Sequence, residues 1–375
     1  MKRRYYKYIF YLNFVFIFTC ICISFFSKSH ISSPLPASIT TPIINTSTIS
    51  QSFCSSARSA VIIDAKSGAV LFEKNKDTRL PMASTTKIIT ALTVLESANV
   101  NDVITVSERA AAVEGSSIYL TAGEKISVRD LLYGLMLESG NDAAVCLAEG
   151  CFGSVDECVT KMNELCHREG LIDTHIQNPS GLDSESHYTT AYELARITAL
   201  SMKNELFRSI VSTKNYATAG EKPRYFSNHN RLLKTFDGVI GVKTGYTSKS
   251  GRCLVTAFEK EGECYIAVTL HDPDDWNDHR EMLTYAFSEY DSIEVAHEKN
   301  FEIYCGFEKF APVEDIFITT HGQNDFNLSY KISFDKGKTV TEYFCEDSKF
   351  GIFALSPRVL PTLPREYTDT PHQSQ

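Results

Sequence analysis

The chain opens on an uncharged apolar run, Ile9 to Phe26, preceded by the bases Lys2, Arg3, Arg4 and Lys7. At about 1.5 Å per residue, such a helix reaches about 27 Å, close to the hydrocarbon thickness. The pattern predicts a signal peptide or signal anchor over 1–30, which puts the rest of the chain on the outer side of the membrane. Between Ser27 and Ser52, 15 of 26 residues are Ser, Thr or Pro, which predicts a linker over 31–57. Periodicity begins near Arg58: Ser59 to Asp64 reads as a strand, Lys66-Ser67-Gly68 as a turn and Ala69 to Phe72 as the returning strand. From Ser84 to Glu96, Ile88, Ala91, Leu92 and Leu95 fall at helical spacing, and Ser127 with Asp130 forms a capping box before Leu131 to Leu137.

Strand patterns return at Val239 to Tyr246, Cys253 to Phe258 and Tyr265 to Leu270, followed by a helix from about Asp278 to Tyr290. Strands at both ends with helices between predict an α/β domain over 58–290, an antiparallel sheet flanked by helices in which the first and last strands meet. A turn centred near Lys260 would set Cys264 opposite residue 257, away from Cys253, so no disulfide is expected between them. Five short strand patterns, 301–307, 313–320, 326–334, 339–345 and 350–355, predict a small all-β domain over 293–356. The tail 357–375 holds four prolines and is expected to be disordered.

Charge narrows the partners. The 375 residues carry a net charge of −9, and because the first 60 contain six bases and no acid, residues 61–375 are more acidic still. An acidic body argues against nucleic acid as a main partner. Nine cysteines lie outside the apolar run without a CxxC framework; Cys151, Cys158 and Cys166 read as small buried apolar residues rather than zinc ligands. His271 and His279 flank Asp272, Asp274, Asp275 and Asp278, which reads as a solvated loop. No metal and no cofactor is expected.

Three motifs follow one another: Ser84-Thr85-Thr86-Lys87, Ser139-Gly140-Asn141 and Lys243-Thr244-Gly245. The first and second patterns recur at Ser333-Phe334-Asp335-Lys336 and Ser97-Ala98-Asn99, but in a strand end and a helix end. A serine hydroxyl attacks only when a base removes its proton, and Lys87, one turn after Ser84, is within reach to do so. A lysine at its ordinary pKa of about 10.4 stays protonated. A second cation about 4 Å away would repel it by about 4 kcal/mol at an effective dielectric of about 20. That is roughly three pKa units, and Lys243 is the candidate. Ser139 is placed to pass a proton and Asn141 to hold a substrate carbonyl. Lys243 and Thr244 suit a terminal carboxylate, and Gly245 leaves room for a peptide lying along the strand.

With Pro81-Met82-Ala83, Asn178-Pro179-Ser180-Gly181-Leu182, His187-Tyr188-Thr189-Thr190-Ala191, Asn230-Arg231-Leu232-Leu233, Gly241-Val242 and Tyr246-Thr247, these motifs resemble those of the serine D-alanyl-D-alanine carboxypeptidases, the low-molecular-mass penicillin-binding proteins, from about Arg58 to Tyr290. The resemblance implies a β-lactamase/DD-peptidase-like fold, a five-stranded sheet covered by helices with a helical subdomain. It implies an acyl-enzyme at Ser84 and an oxyanion hole from the backbone N–H groups of Ser84 and Tyr246. It also implies a peptidoglycan stem peptide as substrate and β-lactams as covalent inhibitors. Relatives of this type commonly carry a C-terminal amphipathic helix, for which the Pro-containing tail shows no period, so the N-terminal segment is the expected membrane contact. Two other readings stand beside this one. A class A β-lactamase would need a Glu-x-x-Leu-Asn segment, absent between Asn141 and Lys243, and a non-catalytic wall-binding protein would need a broken motif.

Overall fold

The computed structural model describes residues 54, 56–219 and 223–296, followed by the segments 303–305, 308–312, 315–321, 328–335, 338–345 and 348–357. The proposed signal segment and all of the linker except its last few residues lie outside these, as does the tail beyond Pro357.

Every residue of the first strand, β1 (Ser59–Asp64), is buried, because both faces of its sheet are covered. Period-two alternation divides the chain between two cores. Val61 and Ile63 face the larger, helical core, and Ala60 and Ile62 face a smaller one behind the sheet. After β2 (Val70–Lys74), a short 3₁₀ turn at Ala83–Thr86 leads into α1 (Lys87–Ser97). The helical subdomain comprises β3 (Val103–Thr105), α2 (Glu108–Ala111), β4 (Lys125–Ser127), α3 (Val128–Leu137), α4 (Asn141–Phe152) and α5 (Val155–Arg168). The Ser127 hydroxyl caps α3 by accepting from Asp130 N at 3.0 Å, as the capping box predicts. Next come α6 (Ala191–Met202), α7 (Glu205–Ser212), β5 (Asn215–Ala217), β6 (Tyr225–Ser227) and α8 (Leu232–Thr235).

The chain then returns to the sheet through β7 (Val239–Thr247), β8 (Gly251–Lys260) and β9 (Glu263–Leu270), giving the antiparallel order β2-β1-β9-β8-β7. The first and last strands meet as expected, and β7 is left as an edge. Helix α9 (Asp275–Glu289) covers the second face with Met282, Leu283 and Ala286. It starts three residues earlier than its apolar pattern suggested.

The β8–β9 turn falls at Glu261-Gly262, both at positive φ (54° and 92°), as a tight two-residue hairpin requires. Cys264 therefore pairs with Glu259 rather than with residue 257, and Cys253 with Leu270; both thiols are free. Cys158 and Cys166 are buried and Cys151 is half-buried.

The acidic stretch is only in part the solvated loop expected from its composition: His271 and Asp274 are exposed. Asp272, Asp275, Asp278 and His279, by contrast, are buried, because they hold other parts of the chain in place. Asp278 Oδ1 accepts from Cys54 N at 3.2 Å and Asp272 Oδ1 from Ser56 Oγ at 3.0 Å. Asp275 pairs with Arg252 at 2.6 Å, and His279 bridges Thr256 and Thr269.

Beyond α9, β10 (Tyr290–Ala296), β11 (Ile303–Cys305), β12 (Glu308–Pro312), β13 (Ile316–His321), β14 (Leu328–Asp335), β15 (Lys338–Cys345) and β16 (Ser348–Pro357) are all strands. The expected β-rich segment is present, divided differently from its pattern. β11, inside the run 301–307, pairs with β12, and β13, which begins three residues into the run 313–320, pairs with β10 as a separate two-stranded sheet. The remaining sheet has the order β11-β12-β16-β15-β14.

Candidate active site

Ser84 lies on the 3₁₀ turn before α1, not at an α-helical N-terminus, and Lys87 is the first residue of α1. In 3₁₀ geometry residues i and i+3 eclipse, which aims both side chains the same way. Ala83, just before the serine, has φ 47°, a left-handed conformation that is costly for a residue with a Cβ. Lys87 is fully buried, with Nζ 2.9 Å from Ser84 Oγ, 2.8 Å from Asn141 Oδ1 and 2.5 Å from Ser180 O.

These three partners are chemically unequal. Ser180 O and Asn141 Oδ1 only accept, the latter because Asn141 Nδ2 donates to Glu114 O at 2.7 Å and so fixes the amide's orientation. A neutral amine has two N–H donors and one lone pair. Donating to the two acceptors leaves the lone pair facing the Ser84 hydroxyl.

Burial is the main force that pushes Lys87 well below the ordinary lysine range, and the nearby Lys243 adds to it, against Asp142, which pulls the other way. This reorders the expectation drawn from the sequence, in which repulsion by Lys243 was the principal cause. Lys243 is itself buried and lowered to about 7 by that burial, opposed by Glu138, so at neutral pH it is only a partial cation. Its Nζ donates to Thr244 O at 2.9 Å.

Ser139 and Gly140 lie in the turn between α3 and α4, where the motif breaks two apolar runs, 131–137 and 143–148. Ser139 is buried at φ 64°, and Asn141 opens α4 with its N–H donating to Ser116 O at 2.7 Å. Gly245 has a second task beyond leaving room for a peptide. A Cβ there would lie 3.0 Å from both Ala83 Cβ and Ser84 N, so its absence lets edge strand β7 run against the nucleophile turn. Tyr246 follows it with its side chain exposed.

Sequence reasoning gave no role to the segment Asn178–Leu182, which supplies the third partner of Lys87. Asn178 Oδ1 accepts backbone N–H groups from Ser180, Gly181 and Leu182 at 3.2, 2.7 and 3.1 Å, curling the loop so that Ser180 O turns toward the lysine. An Asn followed by Pro-Ser-Gly is a turn signal, but its target is visible only in three dimensions.

A serine hydroxyl 2.9 Å from a buried amine, on the turn below the edge of an antiparallel sheet, is an arrangement suited to acyl transfer. Residues 45–274 match peptidase family S11, described as D-alanyl-D-alanine carboxypeptidase, and the chain belongs to that family. It is 39% identical over 246 residues to the D-alanyl-D-alanine carboxypeptidase DacF of Bacillus subtilis, a match spanning 63% of each chain. Among solved structures, the Streptomyces K15 DD-transpeptidase aligns at 33% identity and TM-score 0.59, covering 62% of this chain and 97% of that one. The D-alanyl-D-alanine carboxypeptidase DacD of Francisella tularensis aligns at 25% identity and TM-score 0.65, covering 84% and 95%.

Proposed function

We propose that the chain is a serine D-alanyl-D-alanine carboxypeptidase that removes the terminal D-alanine from peptidoglycan stem pentapeptides and is acylated by β-lactams. The observation that carries this reading is the buried Lys87 Nζ, 2.9 Å from Ser84 Oγ and within hydrogen-bond reach of two acceptors, Asn141 Oδ1 and Ser180 O.

In this mechanism Lys87 takes the Ser84 hydroxyl proton as Oγ attacks the carbonyl carbon of the penultimate D-alanine. The resulting oxyanion accepts hydrogen bonds from the backbone N–H groups of Ser84 and Tyr246, each such donor being worth about 3 kcal/mol in the transition state. The C–N bond then breaks. The departing amine receives the proton from Lys87 by way of Ser139, and free D-alanine leaves. Water attacks the ester, passes its proton to Lys87, and Ser84 Oγ regains one as the acid departs. Asn141 holds Lys87 and offers its amide to the substrate. Protonated Lys243 and the Thr244 hydroxyl receive the terminal carboxylate, and the peptide lies along the open edge of β7 as an added strand.

The chain's place outside the cytoplasm, with 9–26 as an export signal or anchor, belongs to the same proposal and rests on the sequence pattern; among the described residues no helix is long and apolar enough to cross a membrane. The test is D-alanine release from a stem pentapeptide, together with covalent labelling by a fluorescent penicillin. Both should occur with the parent protein and disappear in Ser84→Ala. Release at the parental rate by Ser84→Ala would overturn the assignment.

A further inference from the structure

A second chain of hydrogen bonds lies behind the nucleophile and is not used by the mechanism above. His187 is 3% exposed. Its Nδ1 is 3.0 Å from Gln177 N, a backbone donor, so Nδ1 accepts and the ring proton resides on Nε2. Nε2 is 2.7 Å from Thr86 Oγ1, and that hydroxyl is 2.8 Å from Ala83 O, which can only accept. The directions agree: His187 Nε2–H donates to Thr86 Oγ1, and Thr86 O–H donates to Ala83 O. Burial pushes the imidazole down to about 4, so the neutral ring that this chain requires is the species present at pH 7. The histidine is anchored as well, since two residues on Thr189 exchanges backbone hydrogen bonds with Leu80 at 2.8 and 3.0 Å.

The two ends of this chain are the two backbone pieces that decide where Ser84 Oγ meets Lys87 Nζ. At one end the Ala83 carbonyl fixes a left-handed residue next to the nucleophile, a conformation that persists only when its surroundings hold it. At the other end Gln177 begins the loop that carries Ser180 O to 2.5 Å from Lys87 Nζ.

We propose that His187 is a positioning residue for acyl transfer, acting through Thr86 on the Ala83–Ser84 backbone and through Gln177 on the Ser180 carbonyl, without touching substrate. The inference rests on the acyl-enzyme reading above and adds a residue to it.

The full chain is compared with His187→Ala, His187→Gln, which keeps an N–H donor near the Nε2 position, and Thr86→Val, which removes only the hydroxyl from a side chain of similar shape. Time-resolved labelling with a fluorescent penicillin reads two separate quantities, the final fraction labelled and the rate constant at which labelling proceeds. KM for a D-alanyl-D-alanine peptide is measured alongside. A positioning role predicts complete labelling with the rate constant lowered about 10- to 100-fold in His187→Ala and Thr86→Val. KM should stay within roughly twofold and His187→Gln should recover most of the lost rate, as expected when only the reacting geometry has changed. If His187→Ala does not fold, Thr86→Val reads the same chain with the histidine intact. Unchanged rate constants in Thr86→Val, or a smaller labelled fraction reacting at the parental rate, would overturn the proposal. A parent protein that neither labels nor releases D-alanine would overturn the acyl-enzyme reading itself.

Discussion

Gly181 packs so closely on Ala83 that a Cβ at position 181 would lie 2.0 Å from the Ala83 carbonyl oxygen and 2.4 Å from its carbon. The contact joins the loop that orients Lys87 to the turn that carries Ser84. Gly181 is also at φ 88°, where an L side chain is strained whatever the space.

Gly181→Ala should therefore cost far more than the backbone strain alone, because the atoms it meets are main chain and cannot rotate away. Gly262→Ala is the control: φ is 92°, but nothing lies within 4 Å of the added Cβ. We expect Gly262→Ala to lower stability by about 1 kcal/mol with penicillin labelling intact. Gly181→Ala should slow labelling by at least about 100-fold, as expected for displaced reacting groups. Denaturant melts and labelling time courses on the pair separate strain from collision, and equal behaviour of the two variants would refute the close-contact argument.

Asn141→Asp would place a carboxylate where the amide oxygen now lies 2.8 Å from Lys87 Nζ. An adjacent negative charge favours the ammonium form and raises a lysine pKa by about 1–3 units. The amine must be neutral to act as base, so the acid limb of the acylation rate against pH should move to higher pH by a similar amount. An unshifted limb would separate Asn141 from control of the amine.

The pH dependence of substrate binding should follow Lys243, whose pKa burial lowers to about 7. Its ammonium is the form that attracts a terminal carboxylate, and that form is lost as pH rises through 7. KM for a D-alanyl-D-alanine peptide should therefore rise above pH 7 and level off below it. Lys243→Arg keeps its charge at every working pH and should flatten the profile. A KM independent of pH between 6 and 9 in the parent protein would remove Lys243 from carboxylate binding.

Glu263 supplies a stability test away from the site. Burial, then the neighbouring Asp64, raises its carboxyl to about 7, while its Oε2 accepts from Ser292 N at 3.0 Å. A carboxyl raised on folding contributes stability that is fully present below its unfolded pKa, near 4.3, and is lost as pH rises through about 7. Glu263→Gln keeps an acceptor for Ser292 and cannot ionise. The gap in melting temperature, variant over parent, should widen between pH 5 and pH 8 in favour of the variant. A constant gap would contradict the raised carboxyl.

Much of the site was legible in the chain. The spacing of Ser84 and Lys87 places two side chains on one side of a turn, and the Ser139-Gly140-Asn141 break between two apolar runs marks the α3–α4 turn. The strand pattern from Val239 marks a strand carrying Lys243, although not that this strand is an edge. The acidic stretch misled because composition records charge and not partners: Asp272 and Asp278 are buried holding Ser56 and Cys54, more than 200 residues away. The hairpin register was off by two because Glu261, not a glycine, adopts the first left-handed position of the turn.

Periodicity and motif order, both local properties, were enough to place the opening hairpin, the helix after Ser84 and the strand carrying Lys243, and to say which residue types could do acyl-transfer chemistry. The state of the Lys87 amine was not set locally. It depends on being fully enclosed and on acceptors from Asn141 and Ser180, 54 and 93 residues further along the chain. Desolvation and hydrogen-bond geometry are properties of what surrounds a group, and only the folded chain brings those surroundings together.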